Sequence, residues 1–527
     1  MSDTVAGTLA GHAERQPDTP FLKVGEGPWM TYGELDAASD RVAAGLRRLG
    51  VTTGDRVALV CLNRREAIES LFACAKIGAI LVPLNYHLRG EFLRYQLTDC
   101  GATTLVVDGP GSAAAADILP DSAVRTVVAL DGPANPGWVP YAAVAACPDP
   151  LERFPATASD LVSIIYSSGT TGLPKGCMLS NGYYVNAGRA VGPPGFVVPG
   201  DRVLTAFPHF HVSLQLNTLM SALVNDASIV VEPEFHASTF MARAAVEEAT
   251  MVWGLGTMAT AILARPVADT DRDHKLRLCV FAPLSAERQA EFGERFGCLV
   301  NSEAYGQTEA VPITISQADR PTRVPFAEGT ESILYEVRVV DTEDHEVPPG
   351  RVGEIVVRPR RPDAMYSGYW GKPEATIRAM RNLWHHTGDL GSMDADGQLV
   401  FVDRAKDAIR RRGENVSCYQ LEWVVGQHQA VAEAAATPVP SPLGEDDIKL
   451  SVVLHAVPPP TPEQWFAYFK AKLPYFALPR YLDVRASMPR TATGRVRKDA
   501  ILAEGVHDGL WDFEALGFVV DRHERRG

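Results

Sequence analysis

Along the first hundred residues the apolar positions change their period repeatedly. Ala38, Val42, Leu46 and Leu49 recur at helical spacing, with Thr31 and Glu34 at capping-box spacing before them and Gly50 after them. This predicts an amphipathic helix with both ends marked. Two unbroken apolar runs follow, Val57 to Leu62 and Ala79 to Leu84, with a helical stretch from Glu66 to Lys76 between them. Buried strands alternating with helices are the rhythm of β-α-β units, so a mostly parallel sheet is expected. Leu161 to Tyr166 reads as another buried strand, running straight into a loop of small and hydroxylated residues, and Asn181 stands where it would cap the next helix.

The pattern shifts near Glu331. Short strands (Glu336 to Val340, Gly353 to Val357, Gln398 to Val402) alternate with turn residues such as Pro348, Pro349, Gly350 and the Asp396-Gly397 pair, which predicts an antiparallel β subdomain. The polar stretch Asp403-Arg404-Ala405-Lys406-Asp407 then precedes about 120 residues with strand and helix patterns of their own. The expected architecture is α/β: a large multi-subdomain N-terminal domain over 1–404, with mostly parallel sheets and a β subdomain, and a small α+β C-terminal domain over 405–527. Ala113 to Ala116 reads as a surface loop.

Composition narrows the function classes. A chain of 527 residues with 46% hydrophobic and 22% charged positions is globular and has ample length for a sizeable core. Its net charge of −14 offers no broad footprint for nucleic acid or an anionic membrane, while leaving room for a local cationic site. The eight cysteines are scattered with no C-x-x-C pair, so neither a zinc site nor a disulfide framework is expected. With no signal-like N-terminus and no apolar run of membrane length, the expectation is a cytoplasmic protein with no membrane span.

The densest chemical signal is Tyr166-Ser167-Ser168-Gly169-Thr170-Thr171-Gly172-Leu173-Pro174-Lys175-Gly176. Glycines let backbone N–H groups approach phosphate oxygens, hydroxyls add donors, and lysine supplies a compact charge. Leu173 and Pro174 separate the second glycine from the lysine, so this is not a Walker A loop. Tyr305-Gly306-Gln307-Thr308-Glu309 puts a ring, a hydroxyl and a carboxylate within reach of a base, a phosphate and Mg2+. Thr387-Gly388-Asp389 offers a carboxylate for ribose hydroxyls, and Pro489 to Arg495 forms a cationic glycine turn. Trp253-Gly254-Leu255-Gly256-Thr257-Met258-Ala259 formally fits G-x-G-x-x-A, but it lacks the following acidic residue of a dinucleotide fold and reads as pocket wall. No G-x-S-x-G of an α/β-hydrolase occurs.

Taken in order, these motifs resemble the adenylate-forming superfamily of acyl-CoA synthetases, adenylation domains and beetle luciferases, over nearly the whole chain. The stretch Pro83 to Glu91 is similar to the carnitine-CoA ligase-like branch. The resemblance implies that Ser167, Ser168, Gly169, Thr170, Thr171, Gly172 and Lys175 handle the β and γ phosphates of ATP. It places Tyr305, Ala282 and Pro283 near adenine, Thr308 on phosphate, Glu309 on Mg2+, and Asp389 with Arg404 on ribose. His211, the last residue of Phe207-Pro208-His209-Phe210-His211, falls between the acid pocket and the thiol channel, and His209 reads as a packed histidine. Trp253, Gly254, Gly256, Ala282 and Ala304 fall on the acyl-binding walls. The small volumes of Gly254, Gly256, Ala282 and Ala304 lead us to expect a bulky, largely apolar acid, polycyclic acids among the candidates. Lys406 falls at the hinge on which the small domain turns. Arg410, in the run Arg410-Arg411-Arg412, and Gly413 fall on the coenzyme A channel.

One position departs from the resemblance: after the last motif's glycine stands Arg495, where the family has lysine. The implied function is ATP-dependent conversion of a carboxylic acid to acyl-AMP, then to acyl-CoA, with ATP, Mg2+ and coenzyme A as cofactors. The alternatives are a ligase that loads a carrier protein in trans, a luciferase-like oxygenase, and a weakly active adenylate-binding protein.

Overall fold

The computed structural model describes residues 2–132, 135–167, 173–321, 327–404, 408–412, 414–441, 444–455, 459–490, 496–518 and 520. Two seven-stranded sheets form the bulk of the large N-terminal domain. One runs, in spatial order, Val139–Pro140, Thr126–Ala129, Thr104–Val107, Arg56–Val60, Ile80–Pro83, Leu161–Ser167 and Lys175–Ser180. Its members pair in parallel except for the last, which returns antiparallel to Leu161–Ser167 with Ser167 opposite Lys175. The other runs Leu299–Asn301, Leu278–Ala282, Met251–Leu255, Arg202–Thr205, Ser228–Val231, Pro20–Val24 and Met30–Thr31, parallel up to its last member.

The first predicted helix is Tyr32–Arg48. Its Thr31 hydroxyl accepts from Glu34 N, the Glu34 carboxylate accepts from Thr31 N, and Ala38, Val42 and Leu46 are buried. That face packs on the helix Arg65–Ile77, which crosses between the first two parallel strands. Two expectations are corrected. The strands Leu161–Ser167 and Lys175–Ser180 are antiparallel neighbours, so a strand intervenes before the next helix; Ser180 caps that helix, its hydroxyl accepting from Tyr183 N. Asn181 instead ties the N-terminus to the domain, accepting from Val5 N and donating to Asp160 O. Ala113 to Ala116 is not a loop: Gly109–Ala115 is a helix capped by Asp108.

The expected antiparallel subdomain is a four-stranded sheet, Tyr335–Val340, Gly353–Pro359, His385–Met393 and Leu399–Arg404. In the smaller C-terminal domain, a four-stranded sheet (Val431–Pro440, Asp446–Leu454, Tyr481–Arg485, Trp511–Asp512) carries the hairpin Ala408–Arg411 and Glu414–Ser417 against it. The boundary expected after 404 falls at residues 405–407, outside the described residues. All eight cysteines are free thiols. No helix among the described residues is long and apolar enough to cross a membrane.

Candidate active site

A cleft of about 2270 Å³ opens where the ends of the two large sheets, the antiparallel subdomain and the C-terminal hairpin meet. That is more than twice the usual volume of a single small-ligand pocket. Ser167, Lys175, His211, Trp253, Gly254, Ala282, Pro283, Ala304, Tyr305, Thr308, Glu309, Asp389 and Arg410 all line it. The motifs lie up to some 240 residues apart in the chain, and the fold brings them to one place.

Glu309 organises one end of the cleft. Its Oε1 accepts from the Ser167 hydroxyl at 3.1 Å and from the Tyr369 hydroxyl at 2.8 Å, and its backbone carbonyl accepts from Tyr366 N. Lys175 Nζ stands 4.7 Å from the centre of the Tyr369 ring, a separation at which the ring face attracts the cation. Burial, reinforced by the Glu309 carboxylate, pushes the Tyr369 hydroxyl pKa far above its ordinary value, so it stays a donor. A hard carboxylate beside a hydroxyl fits Mg2+, which takes one or two carboxylates and fills the rest of its shell with water and phosphate oxygens. Thr308 lines the cleft, its carbonyl held by the Tyr183 hydroxyl at 3.2 Å.

Asp389 organises a second corner. It is buried, and its Oδ2 accepts from the Tyr305 hydroxyl at 2.7 Å and from Gln307 Nε2 at 2.6 Å, while Gln307 also holds Thr387 O. The Tyr305 ring lies 6.1 Å from Phe401. Arg404 stands directly opposite Asp389 in the strand register; directly opposed residues share one face of a sheet. Ala282 and Pro283 follow on the end of their strand, where Leu284 N donates to Ser302 Oγ.

The two histidines part company. His209 is buried, its N–H held by Asn63 Oδ1 and its Nε2 donating to Cys61 O at 2.8 Å; burial lowers its pKa to about 4. His211 stays at the surface of the cleft, with Nε2 3.3 Å from the Glu414 carboxylate. That contact joins the large domain to the hairpin of the small one. Among the described residues these histidines and His385-His386 form no three-ligand metal cluster.

The glycine-rich wall departs from its expected role. Trp253 is nearly buried, tilted against Phe196. A Cβ on Gly254 would meet Phe281 and Met258 at 3.0–3.1 Å, so it would point into packing and not into open cleft. Gly256 does not line the cleft at all. A Cβ there would sit 1.6 Å from Pro283 O, so its smallness lets the start of helix Gly256–Leu263 approach the backbone after Ala282. The arginine run also divides. Arg410 and Arg412 line the cleft, Arg412 bonding Tyr475 O at 3.1 Å, whereas Arg411 is buried against Asp447 and the Leu478 carbonyl. Ser168, Gly169, Thr170, Thr171, Gly172, Lys406, Gly413 and Arg495, together with the side chain of Arg404, lie outside the described residues.

Residues that the motifs did not reveal also face the cleft. Tyr369, in the aromatic-glycine stretch Ser367-Gly368-Tyr369-Trp370, and Phe401 are two. Glu328 is a third: burial, and then the neighbouring Glu303 carboxylate, push its carboxyl well above the usual range, opposed by Arg410. Glu414, in the Gly413-Glu414-Asn415 segment, is a fourth.

With this geometry in view, the comparisons with known proteins are decisive. The family model described as AMP-binding enzyme matches residues 9–370, and that of the AMP-binding enzyme C-terminal domain matches 420–495. The chain belongs to this adenylate-forming family. A feruloyl-CoA synthase from Amycolatopsis sp is 31% identical over 93% of this chain and 96% of its own length. A crotonobetaine/carnitine–CoA ligase from Salmonella arizonae is 30% identical over 90% and 93%. Among solved structures, a double mutant of the o-succinylbenzoate CoA synthetase of Bacillus subtilis, bound with its product analogue, has a TM-score of 0.82 at 25% identity, over 93% of this chain and 97% of that one. The protein is an enzyme, an acid–thiol ligase of the AMP-forming acyl-CoA synthetases, which use ATP, Mg2+ and coenzyme A.

Proposed function

We propose that the cleft activates a bulky, largely apolar carboxylic acid and delivers it to coenzyme A, with the site residues in the following roles. Lys175 and the hydroxyls around it take the β and γ phosphates of ATP, Thr308 contacts phosphate, Asp389 with Arg404 takes the ribose, and Tyr305 with Ala282 and Pro283 the adenine. A bound Mg2+ offsets charge between the phosphates and the incoming carboxylate. Glu309, held in place by Ser167 and Tyr369, is the residue that would hold it. In the first half-reaction the acid's carboxylate attacks the α-phosphorus, the bond to the bridging oxygen breaks, and pyrophosphate leaves. Fixed cations are needed because both reactants are anionic, and Arg495 supplies one from the small domain. In the second, the thiol sulfur of coenzyme A attacks the acyl carbon and AMP leaves with the bonding electrons.

The observation that carries the second step is the Glu414–His211 pair. It draws the hairpin of the small domain over the acid end of the cleft and turns the imidazole toward that hairpin, and the nearby Arg410 and Arg412 give the channel positive charge for an anionic cofactor. Lys406 is the hinge, dividing a domain over 1–404 from one over 405–527. The argument from small wall residues now rests on Ala282 and Ala304 alone. Dependence on ATP and coenzyme A supports action in the cytoplasm. A carrier protein in trans is the alternative thiol donor.

The test is a panel of carboxylic acids with ATP, Mg2+ and coenzyme A, read by mass spectrometry for acyl-AMP and acyl-CoA. Large apolar acids should yield both products. Lys175→Ala and Glu309→Ala should cut pyrophosphate release by roughly 10²-fold or more while the protein stays folded. Unchanged release in both variants would remove these residues from the nucleotide site, and acetate as the best substrate would sink the bulky-acid reading.

A further inference from the structure

We propose that Cys279 and Cys298 are the site of a reversible disulfide, formed by reaction with a peroxide, that fastens the edge of the sheet carrying Ala282 to the cleft. Their sulfurs lie 3.6 Å apart. A whole helix, Ala286–Phe296, stands between them in the chain, and the fold closes the gap. The strands Leu278–Ala282 and Leu299–Asn301 run in parallel with Cys279 opposite Val300. Side chains alternate across a strand, so Cys298, two residues before Val300, falls on the same face as Cys279. Phe292 and Phe296 of the intervening helix pack there with them.

Exposure and charge give the two thiols different parts. Seven of the eight cysteines are buried, and Cys298 alone is partly exposed. A thiolate is the nucleophile toward a peroxide, so the attacking sulfur must be reachable and readily deprotonated. The Cys279 thiol donates to the Cys298 sulfur and holds its pKa below the ordinary thiol value. Burial pushes the Cys279 thiol well up, so that one keeps its proton. Cys298 follows the carbonyl end of the helix Ala286–Phe296, which disfavours a thiolate, but Arg272 covers that end. Its guanidinium donates to Arg295 O at 3.2 Å and to Glu294 O, setting a cation against the negative end of the helix.

The Cys298 thiolate attacks one oxygen of hydrogen peroxide. The S–O bond forms, the O–O bond breaks, and the departing hydroxide takes a proton to become water, leaving a sulfenic acid. The Cys279 sulfur then attacks the Cys298 sulfur. The S–S bond forms, the S–O bond breaks, and this hydroxide leaves with the Cys279 proton as a second water. Two thiols are oxidised and one peroxide is reduced. Closure asks the sulfurs to approach by only about 1.6 Å, and the Cys298 side is built to give it. Leu299–Asn301 is the terminal strand of its sheet, and Gly297 stands at a φ of 69°, a conformation that glycine adopts without strain. At the cleft end the two segments are already tied, Leu284 N donating to Ser302 Oγ at 2.7 Å. The new bond pins the other end of a short edge strand, the kind of element that opens first. In a reducing compartment such a bond is transient, and the resting pair is two free thiols.

The test treats the reduced full-length enzyme with hydrogen peroxide, removes the excess with catalase, alkylates the remaining thiols and maps tryptic peptides. Arg288 and Arg295 lie between the two cysteines, so the peptides carrying Cys279 and Cys298 should emerge joined, and apart after dithiothreitol. The oxidised enzyme should unfold a few degrees higher than the reduced one, because the cross-link restrains the unfolded chain. Cys298→Ala should abolish both changes. Cys279→Ala, which lacks the resolving thiol, should leave Cys298 as a sulfenic acid that dimedone captures. Peptides that never emerge joined, dimedone captured at another cysteine in Cys279→Ala, or an oxidised wild type that unfolds at or below the reduced temperature would each overturn the proposal. Should Cys279→Ala, a change in the core, fail to fold, the wild-type peptide map and the Cys298→Ala melting curves still decide it.

Discussion

Single side chains in this molecule are set by partners remote in the chain, and two of them make clear tests. His209 keeps its Nε2 on Cys61 O, so a second proton would have to go to Nδ1, which is buried without a partner. Its pKa falls from an ordinary 6.5 to about 4. Between those values the unfolded chain binds the proton and the folded one does not, so this contribution to stability is full above about pH 6.5 and is lost as pH falls toward 4. The size at stake is about 3 kcal/mol. The buried His12, with His274 and His428, shifts in the same direction. Denaturant midpoints should therefore drop steadily from pH 6.5 to 4.5, and His209→Gln should flatten part of that slope. A slope unchanged in His209→Gln would assign the effect elsewhere. The second test is Tyr369→Phe, which removes one of the two hydroxyls that orient Glu309. Loss of such an outer partner typically weakens a metal site 10- to 100-fold, so the Mg2+ concentration for half-maximal pyrophosphate release should rise by roughly 10-fold. The sequence made Glu309 visible because Gln307, Thr308 and Glu309 stand together. It hid Tyr369, sixty residues away, because an aromatic pair between two glycines carries no local signature of what it will touch.

At the scale of elements, legibility followed how local the determining interaction is. The helix Tyr32–Arg48 could be read from its cap and its stripe because both end signals and the buried face are written between Thr31 and Gly50. The strand Lys175–Ser180 could not, since what makes it a strand is its pairing with Leu161–Ser167 across the loop; Asn181 then passed for a cap one residue beyond the real one. The wall glycines show the same limit. Their size was evident in the sequence, but the direction in which a Cβ would point depends on the strand Leu278–Ala282 and the turn after it. Gly256→Ala should accordingly act on the fold before it acts on substrate choice. A methyl 1.6 Å from the Pro283 carbonyl must push the helix Gly256–Leu263 off the strand end, an overpacking effect of about 1–3 kcal/mol or more. The expected result is a lowered melting temperature together with loss of acyl-AMP formation for small and large acids alike. Gly254→Ala, meeting only side-chain atoms at about 3 Å, should cost less. If Gly256→Ala melts like the wild type and rejects only large acids, Gly256 is a pocket residue after all.

The whole molecule adds what neither residues nor elements contain, a contact between its two domains at the reacting end of the cleft. Four motifs in order were enough to read the family and two domains, because each motif is contiguous and their order survives folding. The pairing of His211 with Glu414, 203 residues apart, was not legible, since it depends on how the small domain is placed against the large one. It gives a test that separates the half-reactions. His211 is about one-third exposed and Glu414 largely covered, so the hydrogen bond between them is partly screened by water and its worth is modest. Glu414→Gln keeps the shape and a hydrogen-bonding oxygen but removes the charge. A ligand or contact shifts a two-state balance only by its differential energy in the two states, so losing this one should depopulate the thiol-facing arrangement by roughly three- to tenfold. Thioester formation from supplied acyl-AMP should slow by that factor. On the proposed roles, in which acyl-AMP formation uses a different placement of the small domain, that step should hold steady or rise slightly. Arg495→Ala should do the reverse, cutting adenylation by about 10²- to 10³-fold and sparing the thioester step. Equal slowing of both half-reactions in Glu414→Gln would mean that this pair supports the fold of the cleft and not one position of the domain.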